Sequence, residues 1–482
     1  MLLPDCAEMK IVERARLSKE ALLSLTSLMA TSLVCCLAIC RRMPGYRPSS
    51  DGRAIGDRVP GSSRPRWTVF SWRMRYARVL VDERGSGASF GVERYGKENV
   101  EDAGHLVEWI VQQRWSNRKA GALGDSYEGG AAERLAASGH PAVRAIIPRF
   151  TSFDGYTEDL FPGGILIEPL LKQWSATNQR LDEGKGVRPV DEDTDGTLLN
   201  KAVRDHAANP DPGRAAEGMS YRDDIAPQFG RGVDAFSPAL LKNEIEASNA
   251  AIYGWGGWLD GASAESVLNR FTSLRNPQMA VIGPWNHLAS QHASPWAEPA
   301  AIVSPTPLQQ WSEFLRFFDR SFRDEPQAAQ KILLYYTMGE ERWKATSTWP
   351  PEGSSRQRWF LTSDRHMSNL PAPGAVLPYK TDPKTSTGLQ SRWRSQLGGT
   401  VQHSDLGAGR LTFVTPPFAR DVEVTGRSVA TLQMKCSTRD AAVFVYLEDL
   451  AQDGTPRYIT EGQLRLLHRT RQSFLRRDGA SV

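Results

Sequence analysis

Short apolar runs, each ending near glycine, aspartate or histidine, recur through the middle of the chain. The runs cover residues 76–82, 120–123, 143–147, 250–255 and 279–283. Their lengths and the turn residues that bound them predict buried strands. Between the first two runs, residues 99–113 have helical spacing, with Leu106 and Ile110 on one side. Strands that alternate with helices at this spacing predict a parallel sheet with right-handed crossovers, so the fold class is α/β.

The alternation stops between residues 156 and 248, where polar and charged residues dominate and loop signals are frequent. This composition fits short helices better than strands, and we expect a helical cap inserted over the sheet, where lids lie. The α/β domain then has a first part at 67–155 and a second part at 249–327. Near the end of the second part, residues 307–322 have helical spacing. Their apolar stripe, which core packing explains, consists of Trp311, Phe314, Leu315, Phe318 and Phe322.

Beyond residue 328 the apolar positions alternate in short runs that Pro, Gly, Ser and Asp separate. These runs cover residues 331–337, 358–362, 411–415, 428–435 and 442–447. Short alternating runs with frequent turns are typical of an antiparallel sandwich or jelly roll. We therefore predict a β-sandwich domain over residues 328–482.

The first part of the chain carries a different signal. Residues 21–40 contain no charged side chain and precede Arg41 and Arg42. Twenty uncharged residues can span a bilayer, so we predict a transmembrane segment, with a signal peptide or a buried helix as alternatives. Residues 43–66 are rich in Gly, Pro, Ser and Arg and predict a linker. Residues 1–66 thus favour a membrane-anchored or exported protein, with possible membrane association through 21–40; a cytoplasmic location is the alternative.

Composition and charge exclude several classes of protein. Apolar residues make up 40% and charged residues 24% of the chain, as in ordinary globular proteins. The net charge of +4 is small for 482 residues and the basic residues are scattered, so we expect no nucleic-acid partner. Four of the five cysteines fall within the first forty residues, which excludes a disulfide framework in the later body. The spacing of Cys and His indicates no zinc site, and we predict no metal.

The run at 120–123 ends in a turn with the sequence GDSYEG, in which Gly124, Ser126 and Gly129 precede a helical pattern. A serine on a sharp turn from strand to helix exposes its hydroxyl, and the N–H groups that follow lie where an oxyanion forms. Ser126 is therefore our candidate nucleophile, although the motif alone fits a Gly/Ser turn before a surface helix equally well. Carboxylates at Asp125 and Glu128 would oppose an oxyanion unless they point away.

Two partners for this serine follow later strands. Asp260 lies in the loop after the fourth run and His287 just after the fifth. Ligands bind at the carboxyl ends of parallel strands, and the order Ser, Asp, His is that of α/β-hydrolases. An imidazole can take the serine proton, and a carboxylate fixes the tautomer of the imidazole. Asp260 precedes Gly261 and could simply begin a turn, and His292 is a rival for the general base.

Several segments resemble the cocaine esterase and Xaa-Pro dipeptidyl-peptidase family of serine hydrolases. They are DERGSGASFG at 82–91, GDSYEG at 124–129, GWLDG at 257–261, IGPWNH at 282–287 and, in the C-terminal part, YITEGQLRLLHR at 458–469. The resemblance implies an α/β-hydrolase with a helical cap insertion, a jelly-roll domain packed against it, and acyl transfer to water without a cofactor. It implies Ser126 as nucleophile, Asp260 as orienting acid, His287 as general base, and the backbone N–H of Tyr127 in the oxyanion hole.

We therefore expect a serine hydrolase that acts on a small ester or on an Xaa-Pro bond of a short peptide. An inactive α/β-hydrolase remnant that serves as a binding or scaffold protein is the alternative. Family members have a Pro-Tyr motif that supplies a second oxyanion donor, and Tyr46 lies at a plausible distance for that role. A peptidase of this kind should also hold a free amine with a carboxylate from the cap, which contains several.

Overall fold

The computed structural model of this chain describes residues 36–42 and 76–475, with short gaps in the second range. The gaps are 191, 299–300, 324–330, 372–375, 383–384, 386–390, 398–408 and 470–473. For residues 36–42, 236 and 396–397 only the backbone is described. The linker predicted at 43–66 lies outside the described residues.

A mixed sheet of eight strands forms the centre of the molecule, in the order β2-β1-β3-β4-β5-β6-β7-β8. The strands are β1 (Cys36–Arg42), β2 (Tyr76–Val81), β3 (Ser116–Asp125), β4 (Val143–Arg149), β5 (Ala251–Gly257), β6 (Gln278–Gly283), β7 (Lys331–Thr337) and β8 (Arg342–Thr346). Strands β3 to β7 run parallel to one another. Strand β1 is antiparallel to both of its neighbours, and β8 is antiparallel to β7. The sheet confirms the predicted α/β class.

Helices lie on both faces of this sheet and in the segment between β4 and β5. They are α1 (Lys97–Gln112), α2 (Tyr127–Ala137), α3 (Glu168–Asp182), α4 (Thr197–His206), α5 (Pro212–Ala216), α6 (Lys242–Ser248), α7 (Ser263–Ser273) and α8 (Pro307–Ser321). Helix α8 begins with a capping box between Thr306 and Gln309 and with Pro307 in its first turn, which fixes its start.

Alternate residues of the central strands build two apolar cores, one on each face of the sheet. On one face Leu123 and Tyr253 pack with Phe314 of α8. On the other face Ala122 and Ile252 pack with residues of α1 and α2. The apolar stripe predicted over 307–322 is therefore core packing, and Phe314 is fully buried.

The segment between β4 and β5 forms the helical cap that the sequence predicts. It begins with a π-helical turn (Tyr156–Leu160) and continues through α3, α4, α5 and α6. Tyr156, Leu171 and Met219 contribute to a separate apolar cluster within the cap. The cap therefore has a core of its own beside the sheet.

The N-terminal apolar segment is where the sequence prediction fails. Its last residues, 36–40, belong to β1, which lies between β2 and β3 in the large sheet. No described helix combines the length and the apolar character that crossing a bilayer requires, so the predicted transmembrane segment is wrong. An inner strand of a covered sheet is apolar on both faces. A run without charges can therefore be either such a strand or a membrane span. Residues 21–35 lie outside the described residues, and an exported or a cytoplasmic location stays a prediction.

The C-terminal part contains antiparallel strand pairs, as the predicted β-sandwich requires. Strand β9 (Phe360–Leu361) pairs with β10 (Met367–Ser368), and β11 (Ala442–Leu450) pairs with β12 (Pro456–Arg465). The run at 331–337 differs from its prediction, because as β7 it pairs in parallel with β6 in the large sheet.

The runs at 411–415 and 428–435 also differ from their predictions, because neither is a strand. Val414 forms one isolated bridge with His366, and Val429 is 85% exposed. An alternating run becomes a strand only where a neighbour pairs with it and covers its apolar face, and the described residues supply none here. The domain boundaries at residues 66, 155, 248 and 327 stay predictions.

Candidate active site

Ser126 lies on a strained turn between β3 and α2. Its φ of 57° and ψ of −123° place it in a region that residues with a side chain rarely adopt. A Cβ added at Gly124 would come within 2.2 Å of the carbonyl carbon of Glu128, and one at Gly129 within 2.6 Å of Thr151 Cγ2. The two glycines therefore allow the helix to begin directly after the strand. This local geometry is that of a nucleophile elbow.

Asp260 and His287, which follow β5 and β6, are in contact. The His287 Nδ1 atom lies 2.9 Å from Asp260 Oδ1 and 3.1 Å from Asp260 Oδ2. The carboxylate is fully buried and His287 is 9% exposed. Because Nδ1 is engaged by the acid, Nε2 is the ring atom that remains to accept a proton.

Charges around His287 favour its protonated form. Burial is the largest single effect and lowers the pKa of the imidazole, but the charge and hydrogen bond of Asp260, together with the charges of Asp125 and Asp159, outweigh it, and the pKa lies above its ordinary value. The same carboxylates stabilise the imidazolium that forms when a histidine acts as general base. His287 therefore has the surroundings that a base opposite a serine needs.

Ser126 and His287 both lie at the carboxyl end of β4. The Ser126 backbone N–H donates to the carbonyl oxygen of Arg149 over 2.8 Å, and the next ring, Phe150, lies 6.0 Å from the His287 ring. In the described part of the chain the Ser126 hydroxyl makes no hydrogen bond to His287. Such bonds are often long in enzymes without substrate and shorten when substrate binds.

Two stacked tryptophans support the loop that carries His287. The Trp255 and Trp285 rings lie 5.4 Å apart at an angle of 8°, and Trp285 is fully buried. A Cβ added at Gly283 would come within 2.4 Å of the Trp285 ring, so this position requires glycine. This packing helps to fix the place of His287 relative to β6.

His292, the rival histidine, faces another carboxylate. Its Nε2 lies 3.8 Å from Glu341 Oε2, and its ring packs edge-on against Tyr336. Burial lowers the pKa of His292, and the charge of Glu341, which acts in the opposite direction, only partly offsets this decrease. This histidine links its loop to the turn between β7 and β8. Of the two histidines, His287 is therefore the one whose side chain contacts Asp260.

The carboxylates beside Ser126 are compensated. Asp125 Oδ1 lies 2.9 Å from the buried Arg149 guanidinium, which also donates to Gln310 Oε1 over 3.0 Å. Burial, and then the charge of Asp125, raises the pKa of Glu128 to about 8, with Arg78 acting in the opposite sense. At neutral pH Glu128 is therefore protonated, and neither side chain opposes an oxyanion as an unpaired charge.

Tyr127, the predicted oxyanion donor, is the first residue of α2. The N-terminus of a helix stabilises negative charge through its N–H groups. The Tyr127 hydroxyl donates to Glu83 Oε2 over 2.9 Å, and Arg134 of the same helix donates to Glu83 Oε1 over 2.8 Å. The helix start is thus held on the turn that follows β2. Tyr46 lies outside the described residues.

Sequence reasoning missed Asp159 and Ser395. Asp159 lies in the π-helical turn that opens the cap, a form of helix that is frequent at functional sites. Burial raises the pKa of Asp159 to about 6, with His287 lowering it and Asp260 raising it further. Ser395 donates its hydroxyl to Asp260. Neither residue belongs to a periodic pattern, so the sequence offered no signal that marked them.

Comparison with protein families gives two matches that together cover most of the chain. Residues 61–289 match the X-Pro dipeptidyl-peptidase family (S15), and residues 327–476 match the X-Pro dipeptidyl-peptidase C-terminal non-catalytic domain. A Mycobacterium bovis protein named as a serine esterase is 36% identical over 439 residues, which cover 82% of this chain and 69% of that protein. Cocaine esterase from Rhodococcus sp. is 25% identical over 466 residues, which cover 88% of this chain and 80% of that enzyme.

Solved structures show the same fold at lower identity. An α-amino acid ester hydrolase is 18% identical, with a TM-score of 0.52 over 78% of this chain and 66% of that one. An aminopeptidase from the marine sediment archaeon Thaumarchaeota archaeon is also 18% identical, with a TM-score of 0.51 over 78% of this chain and 67% of that one. At this identity, the two similarities show a shared fold and no more.

Proposed function

Because this chain belongs to the X-Pro dipeptidyl-peptidase (S15) family of serine hydrolases, we propose that it hydrolyses carboxylic esters through a triad of Ser126, His287 and Asp260. The observation that carries the proposal is the contact of 2.9 Å between His287 Nδ1 and the buried Asp260, at the strand ends where the strained Ser126 also lies. Such a dyad has the chemistry to activate a serine hydroxyl.

In the proposed reaction the Ser126 oxygen attacks the ester carbonyl carbon while His287 Nε2 takes the serine proton. The carbonyl oxygen becomes an oxyanion, which the Tyr127 N–H at the start of α2 stabilises. His287 then gives its proton to the departing alcohol, which leaves an acyl group on Ser126. His287 then takes a proton from a water molecule, whose oxygen attacks this acyl group. The bond to the Ser126 oxygen breaks, His287 returns the proton to that oxygen, and the acid leaves. Asp260 holds the imidazole in the required tautomer throughout.

The choice of an ester over a peptide rests partly on the relatives, which include the mycobacterial serine esterase and cocaine esterase. It rests further on Asp159, the cap carboxylate whose charge affects the pKa of His287. A carboxylate whose charge acts on the base suits an ammonium group on the carbon next to the reacting carbonyl. In an Xaa-Pro peptide the free amine lies one residue further away, about 3.3 to 3.6 Å along an extended chain. We therefore propose esters that carry an amino group near the carbonyl as the preferred substrates.

The test compares three substrates with the same enzyme preparation: a neutral 4-nitrophenyl ester, an amino acid 4-nitrophenyl ester and an Ala-Pro 4-nitroanilide. We expect both esters to be turned over, with the amino acid ester preferred, and the anilide to be cleaved at least about a hundredfold more slowly. A preference for the anilide would overturn the ester assignment. A folded chain that turns over none of the three would favour the alternative of an inactive remnant.

A further inference from the structure

We infer that Ser395, which lies in the part of the chain matched to a non-catalytic domain, is a positioning residue for Asp260. This inference rests on the proposed function, because it concerns the acid of the proposed triad. The matched range, 327–476, contains Ser395, whereas Asp260 and His287 lie within 61–289. The C-terminal region would then contribute a hydrogen bond to the catalytic apparatus of the other domain.

The contact itself is short and shielded from water. The Ser395 hydroxyl donates to Asp260 Oδ1 over 2.9 Å, and this is the carboxylate oxygen that lies 2.9 Å from His287 Nδ1. Ser395 is 1% exposed and Asp260 is fully buried. A hydrogen bond to an ionised carboxylate is stronger than one between neutral groups, and burial strengthens it further. Ser395 and His287 therefore hold the same oxygen from two directions.

The turn that carries Ser395 is itself anchored on the C-terminal hairpin. It spans Arg392–Leu397, and the side chains of Arg392 and Trp393 both donate to Glu461 of β12. The Arg392 carbonyl oxygen accepts the backbone N–H of Gly261 over 2.9 Å. The same turn, which lies in the range matched to the C-terminal domain, thus holds both the Asp260 carboxylate and the backbone just after it.

The turn also contacts the cap. Residues of Arg392–Leu397 lie against α3, the cap helix Glu168–Asp182. The turn is therefore placed between the hairpin, the cap and the acid of the triad. A hydrogen bond from this place fixes the plane of the Asp260 carboxylate, and the carboxylate in turn fixes the orientation of the imidazole.

Removal of the Ser395 hydroxyl has two consequences for His287. The carboxylate loses one of the contacts that fix its rotation, so the imidazole is less well oriented and kcat falls. The negative charge of Asp260 is also shared with one donor fewer, so its attraction for the protonated imidazole increases and the pKa of His287 rises. A residue with a purely structural role would change neither the pKa of His287 nor kcat at constant KM.

The test uses the full chain with Ser395→Ala, Ser395→Thr and the matched control Ser391→Ala. Ser391 belongs to the same segment, but its hydroxyl accepts from the Trp393 N–H over 3.3 Å. For Ser395→Ala we expect kcat for a neutral ester to fall about tenfold, KM to stay within about twofold, and the acidic limb of kcat/KM to move to higher pH. We expect Ser391→Ala to stay within about twofold of the wild type, and Ser395→Thr, which keeps a hydroxyl, to regain activity over Ser395→Ala.

Two results would overturn the inference: a Ser395→Ala variant with unchanged kcat and an unchanged acidic limb, or equal losses in Ser395→Ala and Ser391→Ala. Failure of the proposed triad is distinguishable, because only in that case does Asp260→Asn retain full activity. NMR titration measures the pKa of His287 directly, and so tests the effect of the Ser395–Asp260 hydrogen bond without an activity assay. We expect its pKa to be higher in Ser395→Ala than in the wild type, and an unchanged pKa contradicts the inference.

Discussion

The hydroxyl of Tyr127 donates to Glu83 Oε2 over 2.9 Å, which ties the residue after Ser126 to the turn that follows β2. Arg134 and Asn99 donate to the same carboxylate, each over distances of 2.8 to 2.9 Å. The Glu83 carboxylate therefore connects the start of α2, through Tyr127 and Arg134, with the first turn of α1, through Asn99. Since the Tyr127 N–H is the proposed oxyanion donor, this cluster controls its position.

Tyr127→Phe removes the bond to Glu83 and keeps the backbone N–H. We expect kcat for an ester to fall about fivefold, which corresponds to the loss of one ordinary hydrogen bond from the support of the oxyanion hole. Tyr95→Phe is the matched control, because the Tyr95 ring lies 6.4 Å from that of Tyr127 and its hydroxyl accepts from Asn178. Steady-state kinetics with a neutral ester measure both variants. Equal decreases in kcat would show that the Tyr127 hydroxyl has no special role in supporting the oxyanion hole.

The two histidines provide a direct comparison. His287→Gln removes the proposed base, and we expect kcat to fall at least about a thousandfold because the serine is no longer activated. His292→Gln changes a histidine that faces Glu341, and we expect activity within about threefold of the wild type. Circular dichroism establishes that both variants are folded. If His292→Gln were the inactive variant, the assignment of the general base would be wrong.

Glu128 makes the alkaline limb of activity testable. Its pKa of about 8 means that the side chain is neutral below that pH and negative above it. A negative charge beside Ser126 opposes the oxyanion, so we expect kcat to decrease as pH rises through about 8. Glu128→Gln stays neutral at all pH values and should retain activity at pH 9 relative to pH 7.5. A pH profile of the variant that declines like that of the wild type would exclude this role.

The acidic limb has a different origin and should be present in both proteins. Protonated His287 cannot take the serine proton, so kcat/KM falls as pH decreases through the pKa of His287, which lies above its ordinary value. The limb therefore serves as an internal control for Glu128→Gln, in which it should stay within a few tenths of a pH unit.

Asp159→Asn separates charged from neutral substrates. The variant keeps the shape of the side chain and loses its charge, so we expect kcat/KM for an amino acid ester to fall about tenfold to a hundredfold, and kcat/KM for a neutral ester to change less than threefold. The wild type should show the same discrimination through pH, because the pKa of Asp159 is about 6 and its preference for an ammonium group is lost below that value. Equal losses for both esters would mean that Asp159 acts on His287 alone.

The sequence predicted the α/β domain well because each candidate site residue there follows a strand with a strong local signal. Ser126, Asp260 and His287 lie within four residues of the ends of β3, β5 and β6, and parallel strands bring their carboxyl ends together. Contact between Asp260 and His287 was therefore predictable from topology. A local signal was also sufficient for Phe314 and Phe318. Their helical spacing predicted that they lie in the core, and both are fully buried.

Local signals were insufficient where long-range contacts decide the structure. Residues 36–40 lack charges, which suits a membrane span as well as the inner strand that they form. Ser395 lies 135 residues from Asp260, in a segment without periodicity, and Asp159 was one acidic residue among many in the cap. Val429 shows the reverse error, since its alternating run suggested a strand that has no neighbour among the described residues.

Ser126 is the proposed nucleophile, and His287 is the residue that activates it. Reaction of the folded chain with a fluorophosphonate, followed by peptide mass spectrometry, measures this directly. We predict a single adduct on Ser126, its absence in Ser126→Ala, and labelling at least about a hundredfold slower in His287→Gln. An adduct that persists in Ser126→Ala, or that maps to another serine of the wild type, would exclude Ser126 as the nucleophile.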